Sequence, residues 1–90
     1  MTRFRQNPAI AARVIEGKAV LIVPATAEIK GLNASGTHLW QALAEPRSME
    51  DLASALQARF AVEADAARAD AEAFVRSMLA KGLLVEEGAA

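Results

Sequence analysis

The spacing of apolar residues changes near residue 33. Before it they form a short run, Ala19-Val-Leu-Ile-Val23, and an alternation in which Glu28 and Lys30 flank Ile29; beyond it they recur every three or four residues, as in Leu39, Trp40 and Leu43, or Leu52, Leu56 and Phe60. Runs and period-two alternation mark strands, and a period near 3.6 marks helices. The pattern therefore predicts strands over 13–17, 19–23 and 27–32, joined at Gly17-Lys18 and broken after Val23 by Pro24, which cannot donate to a ladder. In that reading Ile29 is the inward residue of the third strand and one of the few large core anchors.

Three helices are predicted to follow. Asn33 caps the first, which runs to about Ala44 before Glu45-Pro46 breaks it. Ser48-Met-Glu-Asp51 has the form of a capping box and opens a second helix over 48–60. Asp65 caps a third reaching about Lys81, where Gly82 stops it. Ala67, Ala71, Phe74, Val75, Met78 and Leu79 make its apolar stripe, and Arg68, Glu72 and Arg76, spaced by four, an ion-pair ladder on another face. Residues 1–12 read as a partly ordered N-terminal segment, 13–85 as one domain and 86–90 as a frayed tail. Leu83-Leu84-Val85 either returns to the sheet or packs under it. The fold class is α+β, a three-stranded antiparallel sheet followed by three helices.

Composition narrows the chemistry. Ninety residues make one domain; 53% are hydrophobic but only 4% aromatic, so its anchors are few. There is no cysteine, hence no disulfide and no thiolate. Ten Lys and Arg are balanced by eleven Asp and Glu, which is poor for a phosphate-binding surface. The longest strongly apolar run is far below the roughly 20 residues that cross a bilayer, and the basic start lacks an apolar signal core. A cytoplasmic protein is expected, and with it an idle Asn-x-Ser sequon at Asn33.

Ser35 and His38 share a helix face, but no third group orients the histidine, so no catalytic residue, metal site or cofactor is expected. Trp40 reads as core. A winged-helix DNA-binding regulator is the alternative, with 48–60 and 65–81 as its helix-turn-helix, although Asp65, Asp70 and Glu72 would repel phosphate along the segment entering the groove. The third strand offers another route, because a free sheet edge presents unpaired N–H and C=O groups to an extended peptide. The residues alone leave open whether that edge receives a peptide, is covered by the N-terminal segment, or pairs with a second copy as a homodimer.

The arrangement also resembles the PqqD family of peptide-binding proteins, the RiPP recognition elements. The resemblance runs from Arg13 and Gly17-Lys-Ala-Val-Leu-Ile22 through Glu28-Ile29, Leu32-Asn33-x-x-Gly36-x-x-Leu39-Trp40, Ser48-x-x-x-Leu52-x-x-x-Leu56 and Phe60-x-Val62 to Asp70-x-x-x-Phe74-Val75-x-x-Met78 and Gly82-Leu83-Leu84. It implies a winged-helix-like fold without chemistry of its own. It further implies that the leader of a ribosomally made precursor peptide adds as a strand and is presented to a modifying enzyme. That enzyme would be a radical S-adenosylmethionine protein if the product is pyrroloquinoline quinone, and another if it is a different peptide natural product. On this chain the resemblance implies a groove made of Ala27, Glu28, Ile29, Lys30 and Gly31 against Arg68, Glu72, Val75, Arg76 and Leu79. One departure is Ala25-Thr26-Ala27, where many relatives carry a glycine.

Overall fold

The structure, a computed structural model, describes residues 2–88. Two three-stranded antiparallel sheets flank three helices. The first sheet joins β2 (Ala11–Ile15), β3 (Lys18–Val23) and β4 (Glu28–Gly31) in that order, and is the predicted meander with its first strand two residues early. Glu16 and Gly17 both have positive φ, 53° and 79°, so a two-residue turn of the type that matches strand twist closes the β2–β3 hairpin.

The second sheet was not visible in the hydropathy pattern. It sets β1 (Arg3–Gln6) between β5 (Arg47–Ser48) and β6 (Leu84–Glu87). Two stretches that the pattern marks as outlying are thus structured: Arg3–Gln6 within 1–12, and Glu86 and Glu87 at the head of the expected tail. Arg5 donates to Glu87 at 2.7 Å across this pairing, and Asn7 continues it through its amide to the Leu83 carbonyl.

Helix boundaries follow local chemistry. In α1 (Ala34–Ala42) the Asn33 side chain accepts from the Gly36 amide, and in α2 (Met49–Arg59) Ser48 and Asp51 close a reciprocal capping box. Asp51 is held below the usual carboxylate range chiefly by the hydrogen bond from the Ser48 amide, then by the Ser48 hydroxyl. The third helix, α3 (Ala64–Ala80), has Glu63 at its N-cap position and no side-chain cap, so Asp65 lies in its first turn and does not cap it. Its end is a Schellman motif: Gly82, at φ 73°, donates to Leu79 and Leu83 donates to Met78.

The core lies where β3 and the three helices meet, with Leu21, Leu39, Leu43, Leu52, Met78 and Leu83 almost fully enclosed. Trp40 is buried as expected. Register overturns one expectation. Ala19 and Leu21 face inward on β3, and Leu21 is the cross-strand partner of Lys30, so Lys30 is the inward residue of β4. Ile29, paired with Ile22, points outward and is 73% exposed. Side chains alternate strictly along a strand, so the well-buried β3 dictates the phase of β4 against the preference of its isoleucine.

Candidate functional site

Strand β4 is an edge strand. The Leu32 amide donates to the Ala19 carbonyl at 2.8 Å. Hydrogen-bonded and non-bonded pairs alternate in an antiparallel ladder, so Lys30 and Glu28 turn their backbone groups toward β3. Ile29 and Gly31 turn theirs to the free side. The N-terminal segment does not cover that side, because β1 is engaged in the second sheet.

Beside the free edge runs one face of α3. Two adjoining hollows separate strand from helix: one of about 580 Å³ with Thr26, Glu28, Lys30, Ala80 and Lys81 around it, and one of about 440 Å³ formed by Lys30, Leu32, Gly36, Ala73, Phe74, Ser77 and Met78. The small Ala73 and Ser77 keep the helix wall low. Gly36 lets the Phe74 ring come close; a Cβ there would sit 3.4 Å from Phe74 Cε1 and 3.1 Å from the Asn33 cap oxygen. The cleft thus joins a row of outward N–H and C=O groups to an apolar floor with a cationic end.

The strand residues of the expected groove, Glu28 to Gly31, line this cleft, while Ala27 falls in the preceding turn. The helix residues do not. Arg68, Glu72, Val75, Arg76 and Leu79 lie on the opposite side of α3, around hollows of about 240 and 330 Å³ shared with Phe4 and Met49. Val75 is buried at 2% exposure, and only one rung of the ladder closes, Arg68 to Glu72 at 3.7 Å. Residues 68, 72, 75, 76 and 79 make one stripe, and 70, 73, 74, 77 and 81 another, displaced around the helix. Charge draws attention to the first. The signal for the second is its run of small side chains beside one phenylalanine, as a helix approached by extended backbone requires.

The residues that suggested catalysis are engaged elsewhere. Ser35 donates to Asn33 Oδ1 at 3.1 Å, and His38 Nε2 lies 3.1 Å from the Ala55 carbonyl with its ring edge-on to Phe60. Among the described residues no helix is long and apolar enough to cross a membrane, and no cluster of metal-ligating side chains occurs.

No curated protein matches the chain by sequence. Solved structures do. TbiB1 in complex with the TbiA(beta) leader peptide is 29% identical with a TM-score of 0.81, over 96% of this chain and 98% of that one. Lasso peptide synthetase B1 complexed with the leader peptide is 28% identical with a TM-score of 0.79, over 91% and 96%. The family profile described as coenzyme PQQ synthesis protein D matches residues 18–84, and with the greater part of its length matched the chain belongs to this PqqD family.

Proposed function

We propose that the protein binds the leader segment of a ribosomally made precursor peptide as an added strand on β4 and presents it, in the cytoplasm and without chemistry of its own, to the enzyme that modifies the precursor. The observation that carries this reading is the bare edge at Ile29 and Gly31, flanked by the Phe74 face of α3. Two similar structures hold leader peptides, which supports the ligand class. A lasso peptide synthetase among them, together with the family's description, supports a peptide natural product as the end of the pathway.

Magnitudes show why the helix matters. Ile29 and Gly31 offer roughly four main-chain hydrogen bonds at about 1 kcal/mol each, well short of the about 8 kcal/mol of a micromolar complex. The rest must come from apolar side chains seated on Phe74 and Met78, which also read the sequence.

The test is an NMR titration of the labelled protein with the N-terminal half of the short peptide encoded beside its gene. Amide shifts should concentrate at 28–32 and at 70, 73, 74, 77 and 81. Shifts confined to α1 would refute the groove, and tight duplex-DNA binding that collapses with modest salt would refute the ligand class.

A further inference from the structure

Lys30 sits in an unfavourable place. It is the half-buried inward residue of β4, it opens into both hollows of the cleft, and Lys81 shares the larger one with it. Its amine is driven below the usual lysine range first by the neighbouring Lys81 amine, then by partial burial; Glu28 offsets this only in part. The ion pairs among the described residues are Arg5–Glu87, Arg47–Glu45 and Arg68–Glu72, so neither lysine is paired there.

Lys81 has a structural reason to be present, since a cation at a helix C-terminus is favourable. Lys30 has none. The nearby Leu79 and Met78 carbonyls are already taken by the Gly82 and Leu83 amides, and on the same side of the sheet Leu21 is fully buried. Two like charges at the end of a cleft repel each other, and a group of the other sign brought between them relieves that repulsion.

Resting on the strand-addition reading, we infer that the bound peptide carries an Asp or Glu whose carboxylate lies between Lys30 and Lys81, next to an apolar residue seated over Phe74 and Met78. Both hollows lie on the α3 side of the added strand. Side chains alternate along it, so the acidic and apolar residues must be separated by an even number of positions, two or four. Glu28 at the mouth leaves a net charge of about +1 once both lysines are counted, enough to favour one carboxylate over two.

A random dodecapeptide library displayed on phage and selected against the intact protein tests this. Enriched sequences should share an acidic and an apolar residue at an even spacing. The acidic preference should vanish against K30Q/K81Q while the apolar preference persists. A synthetic selected peptide should lose at least tenfold in affinity for K30Q/K81Q, and its alanine version at the acidic position should bind both proteins equally. Both lysines have solvent access, so the double variant should keep its fold, and its melting temperature should stay within a few degrees of the parent's, the relieved repulsion offsetting the loss of a cation at the helix C-terminus. Selected peptides that shift β4 amides yet show no acidic preference would overturn the carboxylate assignment alone. No selectable peptide, or peptides that shift only residues outside the cleft, would overturn strand addition with it.

Discussion

Thr37 Oγ1 accepts a hydrogen bond from the Ala19 amide at 2.8 Å, with Ala19 fully buried and Thr37 at 4% exposure. The Ala19 carbonyl in turn accepts from Leu32. A single threonine on α1 thus fixes the start of β3, and through it the height and register of β4. Thr37→Val keeps the shape but strands a buried N–H, which costs about 1–3 kcal/mol. Urea denaturation should show a lower midpoint at unchanged slope, and an unchanged midpoint would mean that the amide finds another partner.

Ala27 enters β4 with φ 57°, the left-handed region. A Cβ there costs roughly 1–2 kcal/mol, partly offset because glycine has more unfolded-state entropy to lose. Ala27→Gly is therefore expected to stabilise the protein by about 0.5 kcal/mol, read as a melting-point rise of a few degrees for a domain of this size. The departure noted in the Ala25-Thr26-Ala27 turn thus coincides with local strain at the mouth of the groove. A fall in melting temperature would show that the turn relaxes to accept alanine.

Backbone parity along β4 separates neighbouring residues. The Ile29 N–H faces outward and the Lys30 N–H faces Leu21. Proline removes an N–H and is tolerated at a free edge. Ile29→Pro should retain a dispersed amide spectrum and lose at least tenfold in affinity for the leader peptide, whereas Lys30→Pro should unfold or melt far lower. Equal damage from both would mean that the outward groups of β4 are structural.

How much of this could be read from the residues depends on the range of each interaction. Asn33, the Ser48–Asp51 pair and Gly82 act on backbone within a few positions, and the helix limits they set were legible. Leucines every four residues gave the core of α2 for the same reason. The pairing of Arg3–Gln6 with Leu84–Glu87 joins the two ends of the chain, and neither strand carries a local trace of its partner. The inward turn of Lys30 was hidden because an isolated Glu-Ile-Lys suggests the reverse, and only the register with Leu21 decides it. On the groove the family resemblance pointed to residues 27–31, of which Glu28 to Gly31 line the cleft beside β4; which face of α3 stands opposite depends on how the helix rolls against α2, and the charged residues lie on the other face.

That rotation supplies the sharpest test of the binding wall. Ser77 and Arg76 are adjacent in sequence, both exposed, and on different faces of α3: Ser77 borders the β4 cleft, and Arg76 the hollow beside Phe4. Substitutions at exposed helical positions usually change stability by less than about 0.5 kcal/mol, so both Ser77→Trp and Arg76→Trp should fold. An indole at 77 fills the space between helix and strand and should abolish leader binding in a fluorescence-anisotropy titration. An indole at 76 should leave the affinity within about twofold, as should Glu72→Ala and Arg68→Ala, whose ion pair is exposed and contributes little. The opposite result, with Ser77→Trp silent and Arg76→Trp inactive, would move the peptide to the charged face of α3 and leave the β4 edge for another partner.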